Sequence, residues 1–128
     1  MKTRRLGKLD VSEIGFGTMS FASTYGASPD RAEAIRVIRG AYDCGVTFFD
    51  TAEVYRPFTN EELVGEAVAP FRDKVVIASK FGFDVNPDTG ARIPGVNSNP
   101  AHIRRAVDGK ISVLGARLPE AILQLSYR

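Results

Sequence analysis

Two short apolar runs, each closing on a charged residue, constrain this chain more than anything else in it. Val46-Thr47-Phe48-Phe49-Asp50 closes on an acid, and Lys74-Val75-Val76-Ile77-Ala78-Ser79-Lys80 is flanked by bases. Both are short and rich in β-branched and aromatic residues, which reads as buried strand. Between and beyond them the apolar spacing changes to that of a helix. Ala34, Ile35, Ile38, Ala41 and Tyr42 form one stripe, preceded by Ser28 as a candidate N-cap and Pro29 at the first helical position. Gly45 ends that stripe as the residue beyond the cap. Leu63, Val64, Ala67 and Val68 form a second stripe behind a Thr59–Glu62 capping-box pattern. Asn99 and Pro100 open a third, with Ile103, Ala106 and Val107 turned inward. Strands alternating with helices mean βαβ units and a parallel sheet, an α/β fold.

The flanks of this pattern are simpler. Thr3–Leu6 and Leu9–Val11 bracket Gly7-Lys8, a hairpin signal, and Ile14–Met19 reads as a short strand with Gly15 and Gly17 inside it. Phe81–Ser98 reads as one long loop with turn chemistry at 86–90 and at Pro94-Gly95. A last helix is expected from Pro119 to about Tyr127. No linker divides the chain, so residues 1–128 are expected to form one domain.

Composition excludes several classes of function. Seventeen basic and fifteen acidic residues give a formal net charge of +2 and are spread along the chain, so no basic face for nucleic acid is expected. A single cysteine, Cys44, rules out an internal disulfide framework and fits a reducing, cytoplasmic compartment. It reads as a small buried residue. With one Cys and one His, no metal site is expected. No apolar run approaches the roughly 20 residues of a membrane helix, and no signal core follows the N-terminus.

Function in parallel α/β folds sits at the carboxyl ends of strands. Asp50 and Lys80 close two strands there, Tyr55 follows in the loop after Asp50, and Gly17-Thr18-Met19 ends the first. A free tyrosine, with a pKa of about 10, is a poor acid near neutrality, and a neighbouring ammonium favours its phenolate. A carboxylate beside the lysine would hold that ammonium charged. Asp50, Lys80 and Tyr55 thus make a set suited to protonating a carbonyl oxygen. The competing reading of the same residues is a plain ion pair beside a packed tyrosine.

The residue strings carry a resemblance. Phe49-Asp50-Thr51-Ala52-Glu53-Val54-Tyr55, Asn60-Glu61-Glu62-Leu63-Val64-Gly65-Glu66-Ala67, Val76-Ile77-Ala78-Ser79-Lys80 and Ile14-Gly15-Phe16-Gly17-Thr18-Met19 resemble, in order, motifs of the aldo-keto reductases. The match runs over roughly residues 3–108, with a divergent tail at 109–128. It implies a partial (β/α)8 TIM barrel, with an N-terminal hairpin followed by about three strand–helix units. It also implies NADP(H) as cofactor, a small-molecule carbonyl substrate, Tyr55 as proton donor, Lys80 tuning it and Asp50 orienting Lys80. Gly17, Thr18, Met19 and Asp50 would lie against the cofactor.

The family's catalytic histidine has no counterpart here. His102, the one histidine, falls where family members carry an ordinary surface residue at the start of the third helix. Arg56 stands where similar sequences have glycine. Residues 116–128 lack the expected fourth strand. A full barrel needs about 250 residues, so the chain is expected to hold the first part of such an enzyme and to be inactive alone. Its uncovered three-stranded sheet would favour self-association. The alternative is a noncatalytic fragment that docks on a partner chain.

Overall fold

Alternation along one three-residue strand decides which way every site residue faces. The computed structural model describes residues 1–22, 29–55, 59–86, 89 and 91–115, and the backbone of 122–124. Ser28, Arg56 and most of the turn at 86–90 lie outside those residues. Strand β4 (Phe48–Asp50) lies between β3 (Phe16–Gly17) and β5 (Val76–Phe81), parallel to both. Phe49 pairs with Phe16 and Ile77, and Asp50 with Gly17 and Ala78. Paired residues point to the same face, and neighbours along a strand to opposite faces. Phe49 and Ile77 therefore share one face, where both are buried. Asp50, Ala78 and Lys80 share the other.

Helices cover the first face. Strand β1 (Thr3–Leu6) and β2 (Leu9–Ser12) form the expected antiparallel hairpin. Helix α1 (Arg31–Asp43) and α2 (Thr59–Val68) then pack on each other and on the sheet. Ile38, Val64 and Val68 reach zero exposure against Phe49. Burial of such side chains contributes about 1.5–3 kcal/mol each. The rings of Tyr42 and Phe71 stack at 3.8 Å, closing one end of this core. Asp30, in place of the expected Ser28, caps α1, its carboxylate accepting from the Glu33 amide at 2.8 Å, so that Pro29 precedes the helix and does not open it. Gly45, at φ 93°, makes the left-handed turn that ends it. Cys44 just before it is exposed, not buried: the turn carries it past the last residue that can face the core.

Beyond β5 the structure departs from the expectation in three places. The segment read as one long loop contains an antiparallel pair, β6 (Phe83–Val85) and β7 (Arg92–Val96). Its turn residues signalled a bend, and the alternation on either side was too short to mark strands. Helix α3 (Pro100–Leu114) follows, with the Asn99 side chain accepting from the Ala101 amide. It passes through Gly109 and ends at Gly115, left-handed at φ 59°. Within the span of the expected terminal helix, Ile122–Gln124 form strand β8, parallel to β5, and the rest of that span lies outside the described residues. The open edge of β5 offers hydrogen bonds that override local helix propensity. The sheet thus has four parallel strands, ordered β3-β4-β5-β8, instead of three. The strand at Ile14–Met19 is likewise shorter than expected, since Met19–Ala22 turns into a single 3₁₀ turn.

Candidate active site

Asp50 and Lys80 meet because β4 and β5 end one rung apart on the same face. The Lys80 ammonium donates to Asp50 Oδ1 and, at 3.0 Å, to the Thr51 carbonyl. Its Nζ lies 5.1 Å from the centroid of the Tyr55 ring, within cation–π reach. The chain beyond Asp50 stays locked to β5 before it turns. The Thr51 amide donates to the Ala78 carbonyl at 2.9 Å and the Glu53 amide to the Lys80 carbonyl at 3.3 Å. The Tyr55 amide then closes a tight turn on the Ala52 carbonyl at 3.1 Å. Three residues separated by up to 30 positions become one cluster, half-open to solvent: the Lys80 side chain is 14% exposed and that of Asp50 33%. A cluster that is neither fully buried nor fully hydrated can hold charge and still receive a ligand.

The first strand supplies the neighbouring space. Gly17 lies on the Asp50 rung and is exposed, and a side chain there would meet nothing within 4 Å. Thr18 takes a different place from the one its motif suggested. It is fully buried, with its hydroxyl 2.7 Å from Asn60 Oδ1 and 2.9 Å from the Asp50 carbonyl. Met19 is half-buried in the following turn.

Asn60 is the residue that sequence reasoning passed over. Its Oδ1 also accepts from the Thr51 hydroxyl at 2.8 Å, and its Nδ2 donates to the Thr18 carbonyl at 3.0 Å. One buried amide on α2 thus ties the loop after β3 to the loop after β4. It was visible as a polar residue three and four positions before Leu63 and Val64, on the apolar stripe of its own helix.

A second polar cluster lies on the helix side of the strand ends. Lys110 Nζ donates to Glu61 Oε1 at 2.9 Å and stands 3.9 Å from Glu53 Oε2. The Ser79 hydroxyl donates to the same Glu61 oxygen at 2.5 Å. Glu53 Oε1 accepts from the Gly82 amide at 3.0 Å. His102 is not a surface residue: its side chain is 12% exposed, with Nε2 3.5 Å from Glu53 Oε1. That nitrogen is buried without a hydrogen-bond partner. Helix α3 turns its first coil toward Glu53, which the helical spacing from His102 to Ala106 and Lys110 permits. Beside the cluster a cavity of about 460 Å³ opens between Glu53, Asp84, Ile93 and Arg105.

The fold is similar to that of solved proteins. A solved aldo-keto reductase from Bacillus halodurans, in its holo form, superposes with a TM-score of 0.82 at 28% identity, over 97% of this chain and 40% of its own. The glycerol dehydrogenase of Gluconobacter oxydans does so with a TM-score of 0.75 at 31% identity, over 89% of this chain and 36% of its own. The first of these is a TIM-barrel protein. In sequence, the NADP(+) aldo-keto reductase yakc of Schizosaccharomyces pombe is 36% identical over 115 residues, 88% of this chain and 33% of that protein. The chain thus spans between a third and a half of the length of these relatives. The sequence profile of the aldo/keto reductase family matches residues 13–116, from the first parallel strand past the end of α3. Asp50, Tyr55 and Lys80 all lie within that match, and the chain belongs to the aldo/keto reductase family.

Proposed function

We propose that the chain is the first part of a (β/α)8-barrel oxidoreductase that reduces aldehydes or ketones with NADPH. The observation that carries this reading is the Lys80–Asp50–Tyr55 cluster at the carboxyl ends of β4 and β5. Tyr55 is the proton donor to the carbonyl oxygen. Lys80 places a positive charge beside the Tyr55 ring and so stabilises the negative charge left when the proton departs. Asp50 holds Lys80 charged and in place, while the Thr51 carbonyl takes a second ammonium proton and fixes its direction.

The residues present fit a nicotinamide cofactor. Gly17 leaves open space on the Asp50 rung, and the half-exposed Asp50 carboxylate has acceptor capacity for a sugar hydroxyl beyond its bond to Lys80. Bound there, NADPH would supply the hydride, which no side chain can. Gly17, Met19 and Asp50 would line that place. Thr18, its hydroxyl engaged with Asn60, would serve through the backbone that it anchors.

Cofactor binding by the purified chain tests this reading. NADPH fluorescence should change saturably, and Lys80→Met should weaken the binding. Tyr55→Phe should leave binding largely intact, because the proton donor acts on substrate. A folded chain that gives no saturable change would overturn a cofactor site built from these residues alone.

A further inference from the structure

We infer that Glu53 is a positioning residue for Lys80, gripping the strand end from the side opposite the acid–base cluster; this rests on the reading of Lys80 and Tyr55 just given. Glu53 touches the chain at Lys80 and just beyond it. Its amide donates to the Lys80 carbonyl at 3.3 Å, and its Oε1 accepts from the Gly82 amide at 3.0 Å. Two hydrogen bonds from one residue thus flank Phe81, the residue that follows the lysine. Phe81 and Gly82 are buried between them, and Gly82 takes a φ of 120°, so the chain bends sharply just past the lysine. An acceptor on the Gly82 amide fixes the place of that bend.

The grip is itself held from α3. Lys110 stands 3.9 Å from the second Glu53 oxygen, and His102 faces the first at 3.5 Å. Lys110 is also bonded to Glu61, which takes the Ser79 hydroxyl from the residue immediately before Lys80. Residues 79, 80 and 82 are each tied to this cluster. Alternation places the Lys80 side chain on the face opposite that of Ser79. The contacts of Glu53 with this segment are to backbone, so it acts on Lys80 through the backbone at the end of β5. The same residue lies two positions before Tyr55, so one side chain couples both members of the acid–base pair to α2 and α3.

The test reads how tightly Lys80 is held, in the full 128-residue chain, without requiring turnover. Limited acetylation with acetic anhydride, followed by mass spectrometry, gives the labelling rate of each lysine. The exposed Lys8 and Lys74 serve as internal standards. Asp50→Ala should raise the relative rate at Lys80 severalfold. If it does not, Asp50 does not hold Lys80 and the proposed function fails. With that control in place, Glu53→Ala should raise the Lys80 rate severalfold, while Glu53→Gln, which keeps an acceptor for the Gly82 amide, should restore it. An unchanged rate in Glu53→Ala, or equal rates in both variants, would overturn the positioning role while leaving the acid–base reading standing.

Should Glu53→Ala not fold, hydrogen exchange in the native chain decides the question. At low urea, loss of protection at the Gly82 amide and gain of Lys80 labelling should occur together, before the protection of α1 is lost. Lys80 labelled while the Gly82 amide stays protected would refute the grip.

Discussion

Among the described residues, Lys80 and Lys110 meet carboxylates on opposite sides of the sheet, and their settings separate chemistry from architecture. Lys110 is 2% exposed and lies among Glu61 and Glu53, at 5% and 8%. Lys80 is 14% exposed, and its partner Asp50 33%. The first cluster is bonded inward, to Ser79, to the Gly82 amide and to α2. The second keeps an open flank, where Tyr55 and the space beside Gly17 lie. A buried charge is sustained only by complete pairing, so every group around Lys110 is committed to the fold. A half-open charge can exchange water for a ligand, so Lys80 is free to act. The largest effect that tests this contrast is Lys110→Met. It strands two buried carboxylates, and should cost about 3–5 kcal/mol in urea unfolding followed by circular dichroism. Lys80→Met leaves Asp50 with access to water and should cost about 1 kcal/mol or less, while weakening NADPH binding. Equal losses in the two variants would break the comparison.

A second variant tests how the buried cluster is brought together. Gly65 on α2 lies against the Val113 carbonyl of α3, and a methyl group at Gly65 would collide with it. The obstacle is backbone, which no side-chain rotation relieves. Gly65→Ala should therefore push α3 outward, lengthen the Lys110–Glu61 contact and destabilise by about 1–3 kcal/mol. Its effect and that of Lys110→Met should be less than additive, because both act on one contact. Strict additivity would mean that the helix separation and the ion pair are independent.

The contrast also explains what the sequence made legible. Asp50 and Lys80 could be placed because each closes a short apolar run, and strand ends in a parallel sheet converge on one rim. The four strings of family motifs then pointed to Tyr55. Asn60, Glu61 and Lys110 were equally visible as letters. What hid them was their position on apolar helix stripes, at Leu63–Val64 and at Val107–Leu114, where a polar residue gains meaning only once its partner from another element is known. Glu61 finds Lys110 from 49 residues away, and no local period reports that distance. His102 was misplaced for the same reason: its surroundings are set by Glu53, in a loop separated from α3 by α2, β5, β6 and β7. The terminal strand β8 was missed because its three residues take their conformation from the edge of β5. Local spacing thus gave the sheet and the rim, and tertiary pairing supplied what lies behind it.

The smallest effect comes from the opposite extreme of burial. Arg36 and Glu33 pair across one turn of α1 at 2.6 Å, with side chains 75% and 41% exposed. The hydrogen bond from Arg36 holds the Glu33 carboxyl below its ordinary value of 4.5. Glu33 is thus charged in the folded chain at a pH where it would begin to take up a proton when unfolded. The stability this contributes is present above the unfolded value and is lost as pH falls through the lowered folded one. Comparing wild type with Glu33→Gln, the difference in urea midpoint should be small at pH 6, should vanish below the folded value, and should shrink in high salt. Lys110, Lys80 and Arg36 then form a series in which each cation has a carboxylate within reach and only the access of water changes. If the cost of removing the cation does not fall along that series, burial is not what distinguishes the two faces of the sheet.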